Sequence, residues 1–359
     1  MKQSNVLRET WINRNNINRI ICFYRSIIFT EAPLMKAYRY RDKFQLVPIF
    51  YMPTAPISIY ASHIPCILEY QVEDIEEKLP TESMLREKGL SEETLKLGRK
   101  IPNQARRRKE ILHLLSSFTN FYFFEYFGGK NCWGIQLPME EVNQLSEEEK
   151  NKLNSQTSHW TIRGYLYPNI AEELKITGFT ACKEYYEQKD EPIAYFTVNP
   201  NLDSNQEIKI SPYLEFIIDS YFSLCDEEKE LVRQCIGLLY EGIELFNTNR
   251  SVSLLSIVSS IEGMANLDLK IYGNGERLGP TDRFLRYLKT YVAGRSEQKF
   301  RGFYKRRCDI THEGRLFLSD LDLYGDIQKQ DEDWRLRLEI LQAARLAMYN
   351  WMRRRQQDG

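Results

Sequence analysis

The pattern of apolar and polar positions changes about 200 residues into the chain. In the first part, short runs of β-branched and aromatic residues alternate with polar ones, which is typical of β-strands. In the second part, apolar residues recur every three or four positions, which is the period of amphipathic helices. Strands are predicted over residues 44–51, 57–60, 66–72, 121–127, 132–137, 159–167 and 193–198.

A helical pattern over residues 81–117 divides these strands, and Gly89 and Pro102 predict breaks in it because glycine and proline interrupt helices. Residues 199–205 are rich in turn formers and predict a boundary. We therefore expect an α+β protein. A mixed α/β recognition domain would cover residues 1–205, and an all-α helical bundle would cover residues 206–359.

Start and stop signals divide the second part into helices. Ser211 followed by Pro212 predicts a short helix that ends near residue 223. Asp226, Thr281 and Ser296 are the predicted N-caps of three further helices. Glycines at 294 and 314 are predicted to end the last two of these. With helices at about 251–266 and 333–355, this predicts a bundle of five or six helices.

Composition narrows the class of protein. A chain of 359 residues is longer than most single cores, which supports two domains. The formal net charge of −1 excludes a global basic field, so any nucleic-acid partner would need local patches. The seven cysteines are scattered without a Cys-x-x-Cys pair, so we expect reduced thiols and neither a disulfide framework nor a zinc site.

Targeting signals and cofactor motifs are not predicted. The apolar stretch at residues 20–29 is interrupted by Arg25 and follows two further arginines, unlike an export signal. No run of about 18 uncharged apolar residues predicts a membrane-spanning helix. We expect a cytoplasmic protein without a membrane, metal or cofactor requirement.

The strongest chemical motif is Arg307 followed five residues later by His312, near the end of a predicted helix. A fixed cation beside a group that exchanges protons near pH 7 is the minimum needed to cleave a phosphodiester without a metal. The same spacing separates Arg108 and His113, but His113 lies mid-helix among leucines, which favours a structural role. His312 lies in the last turn before Gly314, where the helix dipole favours the protonated imidazole and hence a general acid.

Helix geometry limits how these two residues can cooperate. Five residues rotate by about 500°, so Arg307 and His312 point about 140° apart on a straight helix. Arg307 falls on the apolar stripe of Phe300, Phe303 and Tyr304, where an arginine needs a carboxylate or a functional role. Either the helix end is distorted, or two copies share one cleft; we favour the dimer.

These residues resemble the HEPN (higher eukaryote and prokaryote nucleotide-binding) superfamily, in particular its Apea-like branch. Members carry an arginine, a small polar residue, a few further positions and then histidine near a helix end, here the segment 307–314. The preceding segment 254–263 resembles the family's apolar helix with its glutamate, here Glu262. The resemblance covers roughly residues 211–355. Cys308 replaces the small polar residue, and Glu313 separates the histidine from its glycine.

The resemblance implies a metal-independent endoribonuclease of a prokaryotic defence or toxin system that acts as a homodimer. The 2′-hydroxyl of RNA would attack the adjacent phosphorus and leave a 2′,3′-cyclic phosphate. His312 would move the proton and Arg307 would stabilise the developing charge. Glu262 would hold Arg307 or His312, and a purely structural ion pair is the equally weighted alternative.

Local charge predicts where RNA would bind. Cations exceed anions over residues 296–315, and Arg301, Lys305, Arg306 and Arg315 are the predicted RNA contacts. The N-terminal domain would recognise an activating ligand or protein. One rival is a non-catalytic HEPN module for nucleotide binding or dimerisation, and another places the function in the N-terminal domain.

Two basic runs and one aromatic run leave further alternatives open. Residues 106–109 and 353–355 either contact phosphates or form solvated helix faces, and the solvated faces are favoured. The aromatic run at 118–133 either stacks bases or forms a buried hairpin, and the hairpin is favoured.

Overall fold

The computed structural model describes residues 18–32, 34–48, 64–76, 92–125, 146–148, 174–186, 208, 210–211, 213–321 and 327–358. An antiparallel sheet lies in the N-terminal part and most of the helices follow it, which confirms the α+β layout. The strands predicted at 57–60, 132–137, 159–167 and 193–198 lie outside the described residues. So do Gly89 and the boundary at 199–205.

Six strands form the sheet in the described part of the chain. The strands are β1 (Asn18–Thr30), β2 (Tyr38–Tyr40), β3 (Phe44–Pro48), β4 (Ile64–Glu76), β5 (Phe123–Glu125) and β6 (Leu174–Ile176). Their order is β2-β3-β4-β1-β5, β6 also pairs with β1, and all of these pairings are antiparallel. The long strands β1 and β4 pair along thirteen residues, from Asn18 opposite Glu76 to Thr30 opposite Ile64.

The central strand β1 was not predicted, whereas β3 and β5 fall inside predicted strands and β4 extends beyond the predicted strand 66–72 at both ends. Its first half alternates, with Ile21 exposed and Cys22 and Tyr24 buried. Residues 26–30 are all buried, so the alternation disappears there. The apolar run that had been weighed as an export signal is therefore the middle of the sheet. Strands β2 and β6 have three residues each, too few to show a period.

Helix α1 (Glu92–Phe118) runs without interruption through Pro102, so the predicted break there is wrong. A proline removes one backbone donor and crowds one carbonyl, which bends a helix but does not always end it. The C-terminal half of α1 carries buried apolar residues, among them Ile111, Leu114 and Leu115. Their burial supplies the packing free energy that holds the helix together.

The second part of the chain is a helical bundle. Its described helices are α2 (Tyr213–Ser223), α3 (Asp226–Glu244), α4 (Arg250–Tyr272), α5 (Pro280–Tyr291), α6 (Glu297–Glu313), the short α7 (Leu318–Leu321) and α8 (Ile327–Asp358). Helix α4 has the same apolar spacing as predicted but continues to Tyr272, beyond the predicted end near 266.

Two of the three predicted N-caps are wrong. Cys225 and Gly279 are the N-caps of α3 and α5, and neither provides a side-chain hydrogen bond. Helix α5 begins one residue before Thr281 because Pro280, with its fixed φ, suits the first helical position. The prediction for α6 is confirmed, since the Ser296 side chain accepts a hydrogen bond from the Lys299 backbone N–H.

Helix α4 is the central helix of the bundle. It is long and apolar enough to cross a membrane by composition, but 61% of the relevant window is buried inside the protein, as in the core helix of a soluble protein. Small residues allow α3 to approach it closely. The hydroxyl of Ser253 donates to the Gly242 carbonyl at 2.6 Å, and that of Ser260 donates to the Cys235 carbonyl at 2.7 Å.

The sheet and the bundle share one continuous cluster of buried apolar residues, which includes Ile28 and Tyr70 of the sheet and Leu254 and Trp351 of the bundle. Helix α1 packs against β4 and β5 of the sheet and also against α3 of the bundle. The two parts of the chain are therefore joined by a common core.

Candidate active site

The motif helix α6 has well-defined ends. Ser296 caps its N-terminus, and Gly314 at its C-terminus adopts a left-handed φ of 66°. The backbone N–H groups of Gly314 and Arg315 both donate to the carbonyl of Asp309. Only glycine takes this φ without strain, so Gly314 ends the helix one turn after Asp309 and leaves His312 in the last turn.

Arg307 points into the bundle. Its side chain is 24% exposed and lies on the face of α6 that carries the buried Phe300 and Phe303. One guanidinium nitrogen, Nη2, lies 3.5 Å from Oε2 of Glu262 on α4. An arginine on an apolar stripe was expected to need a carboxylate, and Glu262 provides it.

Glu262 also interacts with Tyr304, one helical turn before Arg307. Burial raises the pKa of the Tyr304 hydroxyl, and the charge of Glu262 and its hydrogen bond to that hydroxyl raise the pKa further. Thr281 of α5 hydrogen-bonds to the same hydroxyl. The Tyr304 ring centroid lies 5.8 Å from the guanidinium carbon of Arg307. Three helices thus converge on the position of the guanidinium.

His312 occupies the exposed face of the same helix. Within the described residues, it forms no hydrogen bond or ion pair. The predicted divergence of Arg307 and His312 is consistent with this arrangement, since one faces α4 and the other faces solvent. The structure brings Glu262 to Arg307 and not to His312, and within one chain the arginine and histidine lie on different faces.

The segment after α6 is anchored to the start of α4. The carboxylate of Asp320 accepts hydrogen bonds from the backbone N–H groups of Arg250, at 2.9 Å, and Ser251, at 2.7 Å. The Phe317 backbone N–H donates to the Ser251 hydroxyl at 2.9 Å. These bonds satisfy free donors at the helix N-terminus and fix the chain that leaves His312.

Most of the cations around the motif already have partners. Arg301 pairs with Glu297 at 2.6 Å, and Arg315 pairs with Glu313 at 2.9 Å. The Arg306 guanidinium lies 4.4 Å from the Phe317 ring centroid. In the described part of the chain, Lys305 has no ion-pair partner. The local excess of positive charge is consequently smaller than the sequence count indicated.

The second Arg-x4-His pattern has the expected structural character. His113 stacks on Tyr240 with ring centroids 4.2 Å apart. Burial, followed by the nearby charges of Lys109 and Arg233, lowers the pKa of His113 to about 4. Arg108 donates to Glu125 of β5 at 2.7 Å.

The described residues of the second basic run contact partners within the protein. Arg355 pairs with Glu228 at 2.9 Å, and the Arg354 guanidinium lies 3.7 Å from the Tyr272 ring centroid. In the aromatic run, Phe118 ends helix α1 and Phe123 lies in β5, which pairs with β1, and both are fully buried. Residues 126–133 of the run lie outside the described residues, so the predicted hairpin stays a prediction. Among the residues that the structure describes, no group of three His, Cys, Asp or Glu side chains could hold a metal ion.

Sequence analysis missed a buried carboxylate in the sheet. Glu69 of β4 is fully buried and accepts hydrogen bonds from Arg25, Gln45 and Thr180 at 2.6–2.9 Å. Burial alone would raise its pKa, but the hydrogen bonds from Thr180, Arg25 and Gln45 lower it below the usual value. A charged residue inside the apolar strand at 66–72 was the available signal. Tyr304 and Thr281 left no comparable signal, because their contacts form between distant helices.

Comparisons with known proteins leave the site to be interpreted from its geometry. No protein-family model, no curated protein and no solved structure matches the chain.

Proposed function

We propose that the protein is a metal-independent endoribonuclease of a prokaryotic defence or toxin system, which acts in the cytoplasm as a homodimer with a HEPN-like composite site. The observation that carries the proposal is the arrangement on α6. Arg307 is held by Glu262 at 3.5 Å, while His312 stands exposed in the last turn of the same helix.

In the proposed reaction, the 2′-hydroxyl oxygen attacks the adjacent phosphorus and the bond from phosphorus to the 5′ oxygen breaks. The products are a 2′,3′-cyclic phosphate and a 5′-hydroxyl. His312 moves the proton between these oxygens, and Arg307 stabilises the charge on the phosphoryl oxygens. Glu262 and Tyr304 are positioning residues, because they contact Arg307 and not the RNA.

The positions of Arg307 and His312 on two faces of α6 support a dimer. One phosphate does not reach both Arg307 and His312 of a single straight helix, because the side chains point about 140° apart. In a twofold dimer, Arg307 of one copy and His312 of the other meet the same phosphate. Lys305, Arg306, Arg301 and Arg315 would contact the RNA on either side, the last two after exchanging their carboxylate partners for phosphates.

The decisive experiment measures RNA cleavage and RNA end chemistry for wild type, His312→Ala and Arg307→Ala. Both variants are expected to lose cleavage while remaining dimeric in sedimentation. Gln298→Ala, an exposed change on the same helix, is the matched control and should cut normally. Cleavage should persist in EDTA, since the proposed chemistry uses only the two side chains. Normal cutting by the alanine variants, or intact RNA with the wild-type dimer, would contradict the proposal.

A non-catalytic HEPN module for nucleotide binding or dimerisation is the second candidate. It is favoured by the pairing of Arg307 with Glu262 and by the neutralised cations Arg301 and Arg315, which suit a structural role. Such a module would keep its ligand affinity after His312→Ala. In both cases, the N-terminal sheet region is proposed to recognise an activating ligand or protein.

A further inference from the structure

Positive charge also converges on a surface remote in sequence from the motif, where α1 packs against α3. Phe222, at the end of α2, has the Lys229 ammonium 4.4 Å and the Arg107 guanidinium carbon 4.8 Å from its ring centroid. We call this surface, together with its neighbouring cations, the α1–α3 seam. Its cations are Lys43 of the β2–β3 turn, Arg106, Arg107 and Lys109 of α1, and Lys229 and Arg233 of α3.

The charges around two titratable groups show where the positive potential lies. Burial lowers the pKa of Lys229, but the charges near its ammonium oppose one another, since Glu110 and Asp226 raise the pKa and two cations of the seam lower it. The pKa of His113 is lowered by burial and then by two cations of the seam, against a smaller effect of Glu110. The positive potential at the His113 end of the seam favours the approach of an anion.

The cations of the seam fall into two groups. Arg107 pairs with Glu110 at 2.6 Å, and Arg233 pairs with Glu230 at 2.6 Å. Arg106 and Lys109 are exposed, and neither has an ion-pair partner in the described part of the chain. The ion pairs fix the positions of Arg107 and Arg233. The unpaired Arg106 and Lys109 give the surface a net positive charge. Six cations face the four carboxylates of Glu73, Glu110, Asp226 and Glu230, in a chain with a net charge of −1.

From this geometry we infer that the α1–α3 seam binds the phosphate backbone of single-stranded RNA. The inference rests on the proposed function, which makes RNA the substrate, and it assigns a binding surface separate from the Arg307 and His312 site. Arg106 and Lys109 are the contacting residues, and Lys229 adds charge beside them.

The chemistry of the seam favours phosphates over bases. The Phe222 ring is already engaged by two cations, so it does not offer a free face to a base. The remaining groups are flexible cations spread along two helices, which suit successive phosphates of a strand. Such contacts add affinity without selecting a sequence.

The test measures binding of a labelled single-stranded RNA by fluorescence anisotropy across a salt series, with His312→Ala in every protein to prevent cleavage. The variant is Arg106→Gln with Lys109→Gln. Each lost phosphate contact lowers the slope of log affinity against log salt by about 0.7, so the double variant should lose about 1.4. Its affinity should fall several-fold, and by the same factor for RNAs of different sequence.

The matched control is Lys270→Gln with Arg335→Gln, which removes the same charge from two exposed cations elsewhere. Both cations already have carboxylate partners, Glu227 at 2.5 Å and Asp331 at 2.9 Å. This control should keep the parent slope. The single changes Arg106→Gln and Lys109→Gln should each produce about half of the effect, and melting temperatures confirm that every variant is folded.

The outcomes separate this inference from the proposed function. An unchanged slope in the double variant, or an equal loss in the control, overturns the seam as a binding surface. If wild type cuts RNA while the double variant binds RNA normally, the proposed function is supported and RNA binding by the seam is contradicted. If the double variant binds weakly while wild type leaves RNA intact, the seam stands and the endoribonuclease proposal is wrong.

Discussion

Arg345, buried in the last helix α8, donates a hydrogen bond from Nη2 to the Ser116 carbonyl of α1 at 2.8 Å. Ser116 in turn hydrogen-bonds through its hydroxyl to the backbone of Phe123 in β5. The last helix of the bundle is therefore tied through α1 to the sheet. The charge of Arg345 also acts on Glu31, which directly follows β1.

Glu31 should make stability fall as the pH rises. Burial raises its pKa to about 7, against opposing effects of a Tyr122 backbone hydrogen bond and the Arg345 charge. With the folded pKa above the unfolded value of 4.5, its contribution is present below pH 4.5 and lost as the pH rises through 7. The loss is on the order of 3 kcal/mol.

Urea unfolding should show this decline in stability in wild type and in the exposed control Glu241→Gln, but not in Glu31→Gln. A difference between wild type and Glu31→Gln that is independent of pH would contradict it.

Glu69 should be essential for the sheet. Glu69→Ala leaves the donors of Arg25, Gln45 and Thr180 without their acceptor in a buried site, which costs about 3–5 kcal/mol. Because hydrogen bonding lowers the Glu69 pKa, its contribution is present above the usual carboxyl pKa and lost as the pH falls through the lowered value. Glu73→Ala, an exposed change on the same strand, should cost less than about 0.5 kcal/mol. Equal thermal stability of the two variants would show that the buried network is dispensable.

Gly242 should be required for the contact between α3 and α4. A Cβ at this position would lie 2.5 Å from Cγ1 of Ile257 and 3.2 Å from the Ser253 carbonyl oxygen. Gly242→Ala should therefore destabilise the protein by about 1–3 kcal/mol. Gly302 is an exposed residue of α6, and a Cβ at this position would have no neighbouring atom within 4 Å. Gly302→Ala should therefore stabilise the protein by about 0.5–1 kcal/mol through helix propensity. Chemical denaturation of both variants measures the change in the free energy of unfolding and its sign. A Gly242→Ala variant as stable as wild type would contradict the prediction.

Arg307 and Glu262 should contribute to stability as a pair, whereas His312 should not. Both side chains of the pair are about one quarter exposed or less, so removing either should cost about 1–2 kcal/mol. His312→Ala should change the free energy of unfolding by less than about 0.5 kcal/mol. A double-mutant cycle with Arg307→Ala and Glu262→Ala measures the coupling. Zero coupling would show that the 3.5 Å contact contributes nothing.

Local signals predicted the motif helix well. Ser296 and Gly314 mark its two ends through hydrogen bonding and a left-handed φ, which depend mainly on neighbouring residues. The apolar stripe of Phe300 and Phe303 predicted the face that turns inward, and hence the outward position of His312. Local signals failed at Pro102 and Thr281. In α1, packing holds the helix together through a proline, and in α5 the first turn starts earlier at Pro280.

The amino-acid sequence by itself determined the α+β layout, the helices of the second part and the divergence of Arg307 and His312, because periodicity and helix ends are local properties. Only the tertiary structure decided that Glu262 reaches Arg307 and that Glu69 lies inside a hydrogen-bonded network. It also decided that β1 is central and that α1 and α3 bring their cations together. These contacts join residues that are far apart in the chain. The free energy that stabilises them comes from burial and charge interactions in the shared core, so the pattern of neighbouring residues does not predict them.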